Sequence, residues 1–255
     1  MSAKNHDAAL IIIGNEILSG RTQDANTSWL AESLNEAGVT LAEVRIVRDI
    51  EAEIIAAVND VRARYRYVFT TGGIGPTHDD ITAQSVARAF GAELAVSEAA
   101  YQCLLDYYKD PAEITPPRLK MAMVPKGARL IANPVSGAPG FQMDNVYVMA
   151  GVPRIMQAMF DSIRDELDGG APVVSATVAC DLAESVIAAD LSAIQDQWPQ
   201  TDIGSYPNYR GGVLGLSVVI RTREAEILKQ VRDEVVAMIT RLGGTPTAIT
   251  AVPRG

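Results

Sequence analysis

Three apolar runs in the first third of the chain alternate with stretches of helical periodicity, and this order constrains the fold more than any other feature. The runs cover residues 8–13, 39–47 and 67–71, and each of the two intervals between them holds one helix. Continuous apolar runs are typical of strands buried on both faces. Strand–helix–strand connections of this length join parallel strands. The sequence therefore predicts a doubly wound α/β layer structure.

Polar residues indicate where the helices begin, and a second group of strands follows them. Asp24 is expected to cap the first long helix, and Asp79 or Asp80 to open the third. Further strands are predicted at residues 128–132 and 146–150. The sequence NPVSGAPGF between them is interpreted as a shaped loop because it is rich in Pro and Gly.

The stretch DGGAP at residues 168–172 is the best candidate for a domain boundary. Residues 1–168 are predicted to form the larger domain. Beyond the boundary, two strands follow each other without a helix between them, which indicates a hairpin. We therefore predict a small α+β domain at residues 172–242. Residues 243–255 show no periodicity and are expected to form a mobile tail.

Charge and cysteine content narrow the class of protein. The 255 residues carry a formal net charge of −9, so we expect no general affinity for nucleic acid or for an anionic membrane. No apolar run approaches the ~18 residues of a membrane span. Cys103 and Cys180 lie far apart and form no CxxC motif, which fits a reducing cytoplasm. A small anionic ligand remains compatible with this charge if its site is locally positive or bears a metal.

The sequence TTGGIGPTHDDIT at residues 70–82 directly follows the third apolar run. Its glycines allow backbone amides to approach a phosphate closely, and the next helix adds the positive end of a dipole. The motif is not a Walker loop, because it lacks Gly-Lys-Ser/Thr. A tight turn without a ligand is the alternative, although such a turn seldom needs three glycines, a proline and two threonines. The candidate phosphate-binding residues here are Thr71, Gly72, Gly73 and Gly75.

The two aspartates in this motif would repel a phosphate, and only one of them is explained as a helix cap. A divalent cation such as Mg²⁺ between carboxylate and phosphate removes the conflict, because it prefers hard oxygen ligands. Glu16 and Asp49 follow the first two strands and face the same crevice in a parallel sheet. We therefore expect Asp80 and Glu16 to hold a metal or orient water, with Asp49 assisting. For Asp49, a helix cap is an equally good or better interpretation.

Other loops contribute candidates with weaker signals. Gly14 ends the first strand, and Gly151 with Pro153 opens a helix whose bare N-terminus suits an anion. Pro139 and Gly140 close the NPVSGAPG loop, for which ligand binding and a rigid connection are equally good interpretations. His78 is more simply a solvated loop residue.

These motifs resemble those of a known family. The matching segments are GNEILSG with Asp24 and Asn26, TTGGIGPTHDDIT, NPVSGAPGF, YVMAGVPRIMQAMF, and AESVIAADL with IGSYP, in order over residues 8–240. They are similar to the amino-terminal half of the competence/damage-inducible protein A family, a branch of the molybdopterin-binding fold. The resemblance implies a three-layer α/β/α domain with a mostly parallel sheet. It also implies binding of a pterin phosphate or nucleotide diphosphate, and hydrolysis of ADP-ribose with a divalent metal.

Two departures from this family qualify the expectation. Its larger members carry a further domain that deamidates nicotinamide mononucleotide, and because the present sequence ends before such a domain, we expect that activity to be missing. Related molybdenum cofactor enzymes carry a Ser-Asp-Ser type sequence where this chain has Gly14-Asn15-Glu16, which argues against direct cofactor assembly.

The sequence thus leaves two functional hypotheses. The first is metal-dependent hydrolysis of a nucleotide diphosphate such as ADP-ribose, in which the metal lowers the pKa of the attacking water. The second is a non-catalytic protein that binds molybdopterin or a nucleotide. In both, the expected partners are a small phosphate-containing ligand and further copies of the same chain.

Overall fold

The computed structural model describes residues 6–210 and 213–252. The chain divides into two compact units, Met1–Gly170 and Ala171–Gly255, called unit 1 and unit 2 below. Among the described residues, no helix combines the length and apolar character that crossing a bilayer requires.

Unit 1 contains eight strands and seven α-helices within its described residues. The strands are β1 Asp7–Ile13, β2 Thr40–Val47, β3 Tyr67–Thr71, β4 Leu94–Val96, β5 Met123–Pro125, β6 Arg129–Ile131, β7 Gly140–Met143 and β8 Val146–Met149. The helices are α1 Asn15–Leu18, α2 Asn26–Glu36, α3 Glu51–Arg64, α4 Thr82–Ala89, α5 Glu98–Tyr108, α6 Pro116–Lys120 and α7 Pro153–Asp161.

The main sheet of unit 1 has the order β2-β1-β3-β8-β7-β6. β1 pairs in parallel with β2 and β3, and β3 pairs in parallel with β8. β7 and β6 continue the sheet in antiparallel fashion. The prediction of an α/β fold with a mostly parallel sheet is confirmed. The chain runs from β1 to β2 on one side and from β3 toward β8 on the other, so a crevice forms at the carboxyl ends of β1 and β3.

Both faces of this sheet are buried, as the continuous apolar runs predict. Leu10 on β1 packs into a cluster with Leu34 and Phe160 on one face. Ile11, its neighbour in the chain, packs with Ile54 on the other face. Successive strand residues point to opposite faces, so helices must cover both. The resulting layers hold the strand ends, and the loops on them, in fixed positions.

The start of α4 differs from the prediction that Asp79 or Asp80 opens this helix. α4 begins at Thr82, and no side chain caps it. The Thr82 amide donates to the Gly73 carbonyl at 2.9 Å, and its hydroxyl donates to the Gly72 carbonyl at 2.9 Å. The loop is therefore tied back onto the helix start by Thr82, which leaves both aspartates in the loop.

The interpretation of NPVSGAPGF as a loop is wrong at its end, because Gly140 and Phe141 belong to β7. A Cβ atom at Gly140 would lie 2.4 Å from the Val148 carbonyl oxygen on β8. Only glycine lets the two strands approach this closely. The Gly signal that suggested a loop thus marks a close strand contact.

Unit 2 is a small α+β layer on an antiparallel sheet. Its elements are β9 Val174–Cys180, α8 Glu184–Gln197, β10 Asp202–Arg210, β11 Val213–Thr222, α9 Ala225–Arg241 and β12 Pro246–Val252. The strand order is β10-β11-β9-β12, and the predicted hairpin is the pairing of β10 with β11. Gly211 and Gly212, which separate these two strands in the sequence, lie outside the described residues.

The expected mobile tail needs a correction. Within residues 243–255, the stretch Pro246–Val252 forms β12 and pairs antiparallel with β9. Its backbone hydrogen bonds come from a strand about seventy residues earlier in the chain, so local periodicity gives little sign of them. Residues 253–255 lie outside the described residues.

Candidate ligand-binding cleft

A cleft of about 610 Å³ opens in unit 1 at the carboxyl ends of β1, β3 and β8. This volume suits a small organic ligand, since ligand pockets commonly measure about 300–1,000 Å³. Apolar side chains contribute much of its wall, among them Ile74, Met121, Ile155 and Met159. The cleft lies where an open parallel sheet is expected to bind ligands.

Glycines form the base of the cleft, and we call Gly14, Gly72, Gly73 and Gly151 the glycine floor. Gly72 and Gly73 have φ values of +99° and +68°, a region that favours glycine. A Cβ atom at Gly72 would lie 2.2 Å from the Ile13 carbonyl oxygen, and one at Gly73 would lie 2.2 Å from the Thr82 hydroxyl. The backbone of Ile13 and the side chain of Thr82 therefore leave no room for a Cβ atom at these two positions.

The backbone amides around the floor differ in their availability. The Gly72 amide donates to the Met149 carbonyl and the Gly14 amide to the Val47 carbonyl, each at 3.2 Å. These two glycines therefore shape the cleft without free donors. In contrast, the amides of Gly73, Ile74 and Gly75 donate no hydrogen bond to any of the described residues. Three consecutive free amides at a positive-φ turn are suited to an anion.

The start of α7 supplies a second element suited to an anion. Gly151, Val152 and Pro153 line the cleft, and Pro153 occupies the first turn of this nine-residue helix. Asn26 donates from its side-chain amide to the Gly151 carbonyl at 2.8 Å and so ties this turn to the start of α2. The positive end of the α7 dipole therefore points toward the cleft from a braced position.

Four carboxylates line the same cleft, and we call Glu16, Asp49, Asp79 and Asp80 the acid rim. Asp49 accepts a hydrogen bond from the Asn15 amide at 2.9 Å. Since α3 has no side-chain cap, the alternative interpretation of Asp49 as a helix cap is wrong. Asp49 instead joins the end of β2 to the start of α1, the helix that carries Glu16.

Thr77 organises the two aspartates of the rim. Its hydroxyl lies 2.6 Å from Asp79 Oδ1 and 2.5 Å from Asp80 Oδ2, and its amide donates to Asp80 Oδ2 at 2.8 Å. The Thr77 hydroxyl holds the pKa of Asp79 below its ordinary value, and the charge of Lys120 acts in the same direction. Lys120 also donates to the Thr77 carbonyl. The loop thus favours the ionised form of Asp79 and holds both aspartates in place.

Charge in the cleft is unbalanced. Of the described residues that line it, none is Lys, Arg or His. Within the same described part of the chain, no three His, Cys, Asp or Glu side chains come together as a metal cluster. The acid rim therefore surrounds an anion-suited floor without a basic side chain or a complete protein cage for a metal.

Three predicted ligand residues lie elsewhere. Thr71 is 1% exposed and borders an adjoining cavity of about 70 Å³. Among the described residues, its hydroxyl has no hydrogen-bond partner. Pro139 borders a neighbouring cavity of about 280 Å³, together with Lys120 and the exposed His78. Gly140 lies within β7.

The cleft also contains residues that sequence reasoning left out. They are Thr22, Asn133, Ser136, Met121, Ile155 and Met159. Asn133 was visible in the NPVSGAPG motif: its side-chain amide donates to Ser136 Oγ at 2.6 Å and to the Ala138 carbonyl at 2.7 Å. Ile155 and Met159 are four residues apart and so share a face of α7, a spacing that also signals ordinary core packing.

Comparison with known proteins relates both units to sequence families. Residues 9–168 match the family described as the probable molybdopterin binding domain, and residues 172–243 match the middle domain of FAD synthase. The whole chain is similar to a protein of Aeropyrum pernix, with 35% identity over 262 residues that cover 95% of this chain and 97% of the relative.

Two further similarities concern named proteins. A probable FAD synthase of Caenorhabditis briggsae is 29% identical over 250 residues, which cover 88% of this chain but 48% of that relative. A crystal structure of the protein CinA from Thermoplasma acidophilum, described as having unknown function, aligns with a TM-score of 0.61 and 33% identity. This alignment covers 65% of this chain and 100% of the CinA chain. The resemblance inferred from sequence is confirmed at the level of the molybdopterin-binding domain.

Proposed function

Since the chain belongs to the family of the probable molybdopterin binding domain, we propose that its cleft binds a small molecule that joins a flat heterocycle to phosphate, a molybdopterin or a nucleotide. The observation that carries this proposal is the run of free amides at Gly73, Ile74 and Gly75, which lies beside the N-terminus of α7. Amides and a helix dipole bind phosphate without a basic side chain.

The apolar wall of the cleft supports the heterocyclic part of this ligand. Met121, Ile155 and Met159 offer polarisable or aliphatic contacts, and Ile74 stands beside the free amides. Methionine adapts to a flat ring better than a branched side chain does. A ligand with phosphate on the loop and its ring against these side chains would use both parts of the cleft.

A second candidate function, hydrolysis of a nucleotide diphosphate such as ADP-ribose, is favoured by the acid rim. Four carboxylates next to bound phosphate would repel it unless a cation lay between them. Mg²⁺ fits this donor set, because it commonly uses one or two protein carboxylates together with phosphate oxygens and water. Asp80 and Glu16 would hold the ion, which supplies charge neutralisation and a more acidic bound water.

The remaining roles in this hydrolysis fall to groups of the chain itself. The amides of Gly73 to Gly75 would hold one phosphate and stabilise the negative charge that grows on it. Asp49 is anchored by the Asn15 amide and would orient an attacking water by accepting its hydrogen bond. Thr77 would hold both aspartates in position for this task.

One experiment separates the two functions. Purified protein is incubated with ADP-ribose, with and without Mg²⁺, and the release of AMP is followed by chromatography, while calorimetric titration measures binding under both conditions. Binding with metal-dependent release of AMP supports hydrolysis. If ADP-ribose binds but no AMP is released, only the binding function is supported. If neither ADP-ribose nor molybdopterin binds, both functions are contradicted.

A further inference from the structure

The outer edge of β2 is an interaction surface that the cleft does not use. β2 lies at the end of the six-stranded sheet, and no strand of the described residues pairs with its free side. Such an edge presents backbone donors and acceptors to any other strand. Proteins commonly protect it with proline, lysine or a bulge. In β2 a bulge at Ala42 interrupts the first half, whereas residues 43–47 contain neither proline nor lysine.

The apolar side chains of this edge are exposed. Val44 and Ile46 stand beside Leu10 and Ile12 in the parallel register, so all four side chains share one face of the sheet. Leu10 and Ile12 are 0% and 4% exposed, yet Val44 and Ile46 are each 41% exposed. The apolar face therefore continues to the edge strand without being covered there.

On the opposite face of the sheet, side chains of β2 and α3 form a balanced charge cluster. Arg45 forms ion pairs with Glu43 and Asp60, and Arg64 does the same. Two acids and two bases leave no net charge on this surface. A second copy of this surface can therefore approach it without net electrostatic repulsion. An edge whose charges all had the same sign would repel its own copy.

The charged residues of β2 favour one pairing register over another when the strands of two copies meet. In an antiparallel pair about a two-fold axis, opposite residues share a face. An axis at Val44 places Glu43 opposite the partner's Arg45 twice, with Val44 against its own copy. An axis at Arg45 would place the two copies of Arg45 opposite each other, and like charges there destabilise a pair. Charge complementarity thus favours the axis at Val44.

We propose that two copies of this chain associate through antiparallel pairing of their β2 strands, with Val44 on the two-fold axis. This surface is independent of the proposed ligand function. The pairing joins two six-stranded sheets into one and covers Val44 and Ile46. Because the contact is short, a dissociation constant on the order of micromolar is expected, as for interfaces at the small end of the known range.

The test uses charges placed on the axis of the full chain. Light scattering at tens of micromolar is expected to give twice the monomer mass of 27.2 kDa. Val44→Lys and Val44→Glu are each expected to give monomers, because each places two like charges together. An equal mixture of the two variants is expected to restore the dimer, since Lys then faces Glu. Val186→Lys, at a side chain 47% exposed on α8, serves as the control that stays dimeric.

Other results would overturn the proposal. A wild-type monomer at all concentrations, a trimer, or an undiminished dimer of Val44→Lys would each exclude this surface. Recovery from a mixture of Val44→Lys with Ile46→Glu, without recovery from the two Val44 variants, would replace the axis at Val44 by one at Arg45. Circular dichroism of each variant establishes that loss of the dimer is not loss of folding.

Discussion

The glycine floor and the acid rim border the same cleft, but different interactions hold them in place. The floor depends on backbone packing: a Cβ atom at Gly72 would meet a carbonyl oxygen at 2.2 Å. The rim depends on charge, and its acids stand at the cleft surface, with both loop aspartates bonded to Thr77. We expect floor substitutions to damage fold and binding together, and rim substitutions to change ligand chemistry while the fold persists.

The largest effect is expected from Gly72→Ala. The positive φ costs about 1–2 kcal/mol for a residue with a side chain, and the overlap with Ile13 adds roughly 1–3 kcal/mol. We expect a clear loss of stability in urea unfolding and at least ~10-fold weaker binding of the phosphate ligand, since a displaced loop misplaces the free amides.

Gly91→Ala is the matched control for that variant. Gly91 also has a positive φ, +63°, but a Cβ atom there would meet nothing within 4 Å. Gly91→Ala should lose only the stability that the positive φ costs, and it should bind the ligand with the affinity of the wild type. Equal behaviour of the two variants would mean that the floor has no special packing.

The next effect is expected from Asp80→Asn. Asn keeps an oxygen that accepts from the Thr77 amide but loses the charge that would hold a cation. If the chain hydrolyses ADP-ribose, turnover should fall by ~100-fold or more, which corresponds to roughly 2.7 kcal/mol. Metal-free affinity should stay the same or rise, because a like charge beside the phosphate has gone.

The measurement is calorimetric titration of wild type and Asp80→Asn, each with and without Mg²⁺, alongside AMP release. Asp79→Asn is the neighbouring control, since Asp79 shares the Thr77 hydroxyl but does not bond the Thr77 amide. Four equal affinities, with no hydrolysis by the wild type, would exclude the metal role and leave the binding function.

A smaller effect is expected from Lys120→Met. Lys120 donates to the Thr77 carbonyl, and its charge helps to lower the pKa of Asp79. Its removal should weaken metal-free binding of an anion by about fivefold or less, in line with partly exposed charges. The loss should shrink in high salt because of screening. Lys126→Met removes an exposed ion pair with Glu93. In calorimetric titration, this variant should bind the anion with the affinity of the wild type.

The sequence predicts the layers of unit 1 because their cause is local. Uninterrupted apolar residues in β1 and β3 demand burial on both faces, and glycines after β3 indicate a turn with positive φ. The same reasoning brings Glu16, Asp49 and Asp80 to one cleft, since carboxyl ends of parallel strands lie together.

The sequence does not predict features that depend on residues distant in the chain. Gly140 was assigned to a loop because nothing local shows how closely β7 approaches β8. A helix cap is one interpretation of Asp49 from the sequence, but its carboxylate accepts a hydrogen bond from the backbone amide of Asn15, 34 residues earlier in the chain. Thr71 was placed among the phosphate ligands because it precedes the glycines, but β3 is buried on both faces of the sheet and its side chain is 1% exposed.

The smallest effect on the cleft is expected from Glu43→Gln, which removes an acid whose charge is already paired. Hydrogen bonds from Tyr65 and Arg45 lower the pKa of Glu43 from 4.5 to about 2. A lowered folded-state pKa contributes stability that is complete above the unfolded value and is lost as pH falls toward 2. The variant should therefore be less stable than wild type at pH 7, and this difference should disappear between pH 4.5 and 2.

Urea unfolding at several pH values measures this difference, in a Val44→Lys background so that association does not contribute. Binding of ADP-ribose at pH 7 should be unchanged, because Glu43 faces α3 and does not line the cleft. At the rim, by contrast, removal of an acid is expected to alter ligand binding. If Glu43→Gln instead altered ligand affinity at constant stability, charge pairing would not distinguish structural acids from those of the rim.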